Sequence, residues 1–326
     1  MQSHATYRIV WDQTIPVEAD VDEIVDEPIE TRRVLLGGAA VEVQRVGEQL
    51  LAADGRSVAI DDAVHLPPVV PSKIICAHLN HVSRVREFGT RLPPAPTYFH
   101  KPVSSLNSHR GDVVRPSNCK WLNYEGEVAI VIGRRCRNVS YADAADYIGG
   151  YTVANDFGLH DFRDTDSGSM LRVKGADTFC PLGPGYVRGW KPEGKYIRTY
   201  VNGVLRQDGS TDEMAWDMAY LVADLARLIT LEPGDVILSG TPAVSRPVVP
   251  GDVVTVEVEG LGSLTNTVVE GPAPVSDEIG AQPTETEEVR STALGGDWEF
   301  RGQRTPVYPT PRDLLPYPRV HPRWEK

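Results

Sequence analysis

Glu125 and Glu127 stand one residue apart at the head of the apolar run Val128-Ala129-Ile130-Val131-Ile132, and a second apolar segment downstream ends in Asn155-Asp156. Strand side chains alternate between faces, so Glu125 and Glu127 share a side with Ala129 and Val131, while Tyr124, Val128, Ile130 and Ile132 line the other. Both faces are apolar, which predicts a buried strand. A carboxylate taken out of water is costly unless a cation meets it, and no Lys or Arg is interleaved here. Acidic pairs that flank strands are usually solvated. If this pair is buried, a hard divalent metal is its simplest partner.

The elements that must position this pair fall into two units and a tail. After an acidic leader dense in carboxylates from Glu18 to Glu30, VLLGGAAVEVQRVGEQLLAADG and RSVAIDD alternate like short strands around an Asp-Gly turn and end in the Pro-rich hinge His65 to Pro71. Residues 1–70 therefore read as a small β-rich N-terminal domain. The larger unit, 72–271, opens with the apolar strand Lys73-Ile74-Ile75-Cys76, a His-rich loop and a short helix from Ser83 to Phe88. Ser140-Tyr-Ala-Asp143 has the form of a capping box opening a short helix to Tyr147, and Ser210-Thr-Asp-Glu213 is expected to open a longer one to about Ile229. Asn202-Gly203 joins two alternating runs as a hairpin turn. Pro233-Gly-Asp-Val236 and Pro250-Gly-Asp-Val253 each launch a strand. The fold expected is mostly β with some α, a sheet-dominated roll or barrel. Beyond Gly271 the apolar periodicity stops, and 272–326 reads as a Pro-rich C-terminal tail, either disordered or an extended arm docked through Tyr308, Tyr317 and Trp324.

Composition bounds the function. There are 33 Lys plus Arg against 45 Asp plus Glu, a formal charge of −12, so nucleic acid and anionic membranes are poor partners. Cys76, Cys119, Cys136 and Cys180 lack both the spacing of a zinc site and the density of a disulfide scaffold. No apolar run approaches the ~20 residues of a membrane span, and the polar start MQSHATYRIVWDQ has no signal-peptide core. These features lead us to expect a soluble, cytoplasmic protein acting on a small molecule.

Four stretches in order carry a resemblance: Trp121-Leu-Asn-Tyr-Glu125-Gly-Glu127-Val-Ala-Ile-Val-Ile-Gly133; Gly150-Tyr-Thr-Val-Ala-Asn155-Asp156; Lys174-Gly-Ala-Asp177-Thr-Phe-Cys-Pro-Leu-Gly-Pro184; and Leu238-Ser-Gly240-Thr241-Pro242. Over about residues 72–271 the chain resembles the fumarylacetoacetate hydrolase family. The resemblance implies that Glu125, Glu127 and Asp156 bind Mg²⁺ or Mn²⁺, that Lys174 contacts substrate, and that Gly240 and Thr241 lie against a substrate carboxylate or oxo group. It also implies a homodimer built on the larger domain. Three carboxylates suit an octahedral hard cation that keeps positions for exchange, and a 2-oxo acid can chelate through its carboxylate and oxo oxygens. Alone, Lys174 reads as a solvated surface lysine; within the motif its charge could neutralise an enolate.

The chain also departs from the family pattern. Acylpyruvate hydrolases of the family typically carry Cys-x-Gly-x-Asn-Tyr-x-x-His-x-x-Glu, whereas the aligned stretch is Cys76-Ala-His78-Leu-Asn80-His81-Val-Ser-Arg84-Val-Arg-Glu87. Arg84 stands where the histidine belongs, and an arginine stays protonated and cannot take a proton from water. His78 or His81 could supply a replacement base, with Glu87 orienting it, or either could simply satisfy backbone groups in the loop. After the metal motif, His160 and Arg163 replace the usual residues and should change how the far end of a substrate is held. Arg137-Asn-Val-Ser140, Leu171-Arg-Val-Lys174 and Tyr200-Val-Asn-Gly203 resemble the branch of 2-hydroxyhepta-2,4-diene-1,7-dioate isomerases and 5-oxopent-3-ene-1,2,5-tricarboxylate decarboxylases. Its members handle diacids and triacids, for which Arg84, Arg163 or Arg172 would supply cations. The expected activity is therefore isomerisation or decarboxylation through an enolate, with acylpyruvate hydrolysis as the alternative and a non-catalytic member as a third reading. Residues 84–91 are the expected lid.

Overall fold

The computed structural model describes residues 27–295 apart from Ser167; most of the acidic leader and the Pro-rich arm from Gln303 lie outside the described residues. The chain runs β1 (Ile29–Leu36), β2 (Ala39–Val46), β3 (Gln49–Ala52), β4 (Ser57–Ala59), β5 (Val64–Leu66), β6 (Ile74–His78), α1 (Val82–Glu87), β7 (Thr97–Lys101), β8 (Leu106–Ser108), β9 (Val113–Ser117), β10 (Leu122–Asn123) and β11 (Gly126–Ile132). It continues through β12 (Ile148–Asn155), β13 (Gly158–Leu159), α2 (Leu171–Lys174), β14 (Cys180–Arg188), β15 (Tyr196–Val201), β16 (Val204–Ser210), α3 (Met218–Ala226), β17 (Val236–Leu238), β18 (Val253–Val258), β19 (Gly262–Pro274) and α4 (Glu287–Leu294). The architecture is mostly β, as the alternation in the sequence implies.

Twelve strands form one mixed sheet, with main order β4-β3-β2-β1-β14-β12-β11-β17-β6-β7, and five form a second, β16-β15-β18-β19-β9. Strand β11 sits near the middle of the first sheet, and all seven of its residues are buried. Its two faces separate as alternation requires. Val128, Ile130 and Ile132 pack with Ile197, Val256 and Leu264 of the second sheet and with α3. Ala129 and Val131 pack with Ile74, Cys76, Ala154 and Leu182 on the opposite face. The sheets approach so closely at Gly126 that an added Cβ would lie 2.3 Å from Thr199 Oγ1, so only glycine fits between the two acidic residues.

The N-terminal strands have a core of their own, centred on Val34, Val43 and Leu50, but β1 pairs antiparallel with β14 and extends the large sheet. The Asn202-Gly203 hairpin joins β15 to β16, with both turn residues at positive φ. Three sequence expectations need correction. The long helix from Ser210 does not form: residues 211–213 make one 3₁₀ turn, and α3 starts later with Asp217 capping Tyr220 N–H at 2.9 Å. Between them Ala215 N–H and Trp216 N–H bond to Asn80, which holds that stretch out of a helix. The segment expected to be a lid begins inside α1, where Arg84, Val85 and Glu87 are buried. Regular structure also continues past Gly271, since β19 runs to Pro274 and α4 follows. No helix among the described residues is long and apolar enough to cross a membrane.

Candidate active site and divalent-metal centre

The antiparallel register of β11 and β12 pairs Gly126 with Asn155 and so brings Glu127 and Asp156 to the same end of the sheet. Asp156 N–H donates to the Glu125 carbonyl at 2.8 Å, and Asn155 Oδ1 accepts from Glu125 N–H at 2.9 Å. These bonds tie the two strand ends together. One carboxylate oxygen each from Glu125, Glu127 and Asp156 lies within 4.8 Å of the others.

Two lysines meet this acidic cluster. Lys174 Nζ lies 2.6 Å from Glu125 Oε2 and 2.9 Å from Asp156 Oδ2, and Lys101 Nζ lies 2.6 Å from Asp156 Oδ1. Burial works against the Lys174 charge, but Asp156 and Glu125 outweigh it and hold the ammonium above the ordinary lysine value. Burial also opposes ionisation of Glu125, but Lys174 and Arg84 outweigh it and bring that carboxyl below its usual range. Glu127 is driven the other way, well above the carboxylate range, by burial and then by repulsion from Asp156 and Glu125. Its Oε2 accepts from Gly240 N–H at 2.7 Å. Three hard oxygen donors gathered within 4.8 Å of one another fit a divalent cation such as Mg²⁺ or Mn²⁺.

An inner chamber of about 30 Å³ lies over the cluster and includes His78, Arg84, His160, Arg163, Lys174 and Thr241 in its lining. The structure thus gathers most of the residues singled out from sequence. His78 is kept neutral by burial and then by Arg163, with its pKa lowered to about 4. His160 is buried, and neither of its ring nitrogens has a hydrogen-bond partner among the described residues. Its loop is held by Asp161, whose carboxylate accepts from Lys120 and Trp121 N–H at 2.9 Å each. Thr241 reaches the chamber, but its hydroxyl donates to the Gly126 carbonyl and accepts from Gln207 Nε2, both at 3.0 Å. Gly240 backs Glu127 at φ 95°, where a Cβ would lie 2.9 Å from that of Asn80.

His81 and Glu87 are not brought to the chamber. His81 precedes α1 fully buried, with its pKa lowered to about 3 by burial. Glu87 is tied at 2.6 Å to both Arg84 and Arg246. Burial opposes its charge, but the two arginines outweigh it and bring the carboxyl below its usual value. It therefore orients Arg84 rather than a histidine. Arg84 reaches Glu125 at 3.5 Å, while Arg172 pairs at 3.3 Å with Asp166.

Sequence reasoning missed Lys101, which is fully buried. Its signal was the alternation in β7, where Phe99 lines the chamber and Lys101, two residues on, falls on the same face. Thr292 of α4 also lines the chamber, from a stretch read as tail.

Residues 73–269 match the family described as "Fumarylacetoacetate (FAA) hydrolase C-terminal", and the chain belongs to that family. The 4-hydroxyphenylacetate degradation bifunctional isomerase/decarboxylase of Escherichia coli is 38% identical over 219 residues, 66% of this chain and 51% of that protein, so this chain spans about half its length. The oxaloacetate tautomerase fahd2, mitochondrial, of Xenopus laevis is 37% identical over 216 residues, 63% of this chain and 68% of the relative. Among solved structures, a 5-carboxymethyl-2-hydroxymuconate delta-isomerase from Mycobacterium smegmatis superposes with a TM-score of 0.69 and 37% identity, covering 74% of this chain and 99% of that one.

Proposed function

We propose that this chain is a divalent-metal-dependent isomerase or decarboxylase of aromatic-compound catabolism, acting on 2-oxo or 2-hydroxydienoate di- or tricarboxylic acids. The observation that carries the reading is one chamber in which an acidic triad sits beside Lys174, Arg84 and Arg163. Mg²⁺ or Mn²⁺ held by Glu125, Glu127 and Asp156 would supply Lewis acidity towards a 2-oxo oxygen. Lys174 stabilises negative charge as an enolate forms. Arg84 and Arg163 present planar forks to substrate carboxylates. His78, neutral above about pH 4, takes a proton from carbon and returns it elsewhere on the conjugated system, so isomerisation leaves the proton count unchanged. In decarboxylation the bond to the departing carboxylate breaks with release of carbon dioxide, its electron pair enters the enolate, and carbon then takes up a proton from solvent, delivered through His78.

Neither route needs a water nucleophile, which agrees with an Arg84–Glu87 pair where acylpyruvate hydrolases of the family typically carry histidine and glutamate. The alternative is hydrolysis of an acylpyruvate such as fumarylpyruvate, with His78 as the base on water. Ultraviolet assays of the full chain with Mg²⁺ or Mn²⁺ distinguish them. Conversion of 2-hydroxyhepta-2,4-diene-1,7-dioate or tautomerisation of oxaloacetate should exceed cleavage of fumarylpyruvate; the reverse order would overturn the proposal.

A further inference from the structure

Helix α4 lies outside the family-matched residues, yet it forms part of the chamber over the triad. The segment is anchored along its length. Thr284 N–H donates to the Asp161 carbonyl at 2.9 Å, and Thr286, which caps the helix, donates its hydroxyl to Asp164 at 2.6 Å. Val289 and Ala293, one helical turn apart, are buried against Trp121, and the Ala293 carbonyl accepts from Asn123 Nδ2 at 2.7 Å. At the end, a Cβ on Gly295 would lie 2.5 Å from both Arg246 and Glu87, the pair behind Arg84. Glu288 and Thr292, also one turn apart, line the cavities: Thr292 the inner chamber, and Glu288 an adjoining outer one of about 540 Å³.

The inner cavity sets Arg84, Arg163 and Lys174 around the acidic triad, whereas the outer one, which meets it at His78, Phe99, Arg163 and Met170, adds Glu288 and Asp164 beyond Arg163. A carboxylate seated at Arg163 is attracted, and one carried further outward meets two acidic groups. We infer that α4 is a specificity-determining cap, in which Thr292 sizes the inner chamber and Glu288 disfavours acids whose second carboxylate extends past Arg163.

This inference rests on the proposed binding of a 2-oxo acid beside the metal, and direct binding separates the two. With Mg²⁺ present, calorimetry on the full chain would compare oxalate, a compact probe, with 2-oxosuberate, whose second carboxylate reaches one carbon beyond that of the proposed seven-carbon dienedioate. Thr292→Phe should weaken oxalate at least about tenfold, a change of about 1.4 kcal/mol. Glu288→Gln should tighten 2-oxosuberate about threefold, the scale of an exposed charge, and leave oxalate unchanged. If Thr292→Phe fails to fold, the exposed Glu288→Gln decides alone. Wild type that binds both probes, with variants that bind them equally well, would overturn the cap and leave the functional reading standing. Wild type that binds neither probe would overturn both.

Discussion

Glu127 and Asp156 stand at the end of adjacent strands of a twelve-stranded sheet, where register fixes them, whereas Arg84, Arg163 and Thr292 come from short helices and a loop held by ion pairs and caps. The floor of the chamber can therefore hold buried charge in a constant geometry. The wall can change its chemistry without disturbing the sheet. The wall is also where the chain departs from the acylpyruvate-hydrolase pattern, with Arg84 replacing a histidine and α4 lying beyond the family match.

Removing a floor carboxylate should have the largest effect. Glu127→Gln should lower Mn²⁺ affinity by at least about 10²-fold, beyond the ~10–100-fold that loss of an outer partner costs, and calorimetry reads it directly. A pH signature accompanies it. Glu127 is held well above the usual carboxylate range, so its contribution to metal-free stability is full below about pH 4.3 and is lost as pH rises through the raised value. The stability difference between wild type and Glu127→Gln, measured by urea unfolding without metal, should therefore fall as pH rises. A difference that grew with pH would contradict the charge assignment.

Lys101 tests the floor from beneath. Lys101→Met leaves Asp156 with Lys174 as its remaining cation and should destabilise the protein by about 3 kcal/mol, the low end for breaking a buried pair. Denaturant titration checks it, and a loss below about 0.5 kcal/mol, the range of ordinary surface substitutions, would show that the pair is not structural.

His78 sits where floor and wall meet. His78→Gln should reduce kcat about 10²-fold, the lower end for general acid–base catalysis, because a base with its pKa lowered to about 4 is weak. In wild type the acid limb of the kcat/KM profile should fall near pH 4. A limb near the ordinary histidine value, unchanged by the substitution, would assign the proton transfer elsewhere.

The two regions were also unequally legible in the sequence. The Glu125–Glu127 pair followed from period-two alternation through Val128 to Ile132, because one register satisfies both buried faces of β11, whereas Asp156 joined it as a ligand only through the family resemblance. Lys101 went unread because a lysine beside Pro102 looks like a strand end, and its partner is 55 residues away. His78 and His81 are close in sequence, yet the chamber includes His78 while His81 is buried before α1. Helix α4 was hidden for a related reason. Only Val289 and Ala293 carry its buried face, and the Trp121 they cover belongs to a distant segment. Short elements with long-range partners leave little local periodicity to read.

Arg84 offers the smallest and most discriminating test of the wall. Its Nη1 is committed to Glu87 at 2.6 Å while Nη2 faces Glu125 at 3.5 Å, so one side chain spans the wall and the edge of the floor. A lysine keeps the charge but loses the planar fork that can serve both partners and a substrate carboxylate. Arg84→Lys should raise KM for a diacid about tenfold with kcat nearly unchanged, because the lost contact binds ground and transition states alike. Glu87 keeps Arg246, so the fold should survive, and an unchanged thermal transition would confirm it. An equal fall in kcat and kcat/KM would instead place Arg84 in stabilising the transition state, and the separation of a chemical floor from a selective wall would fail at that residue.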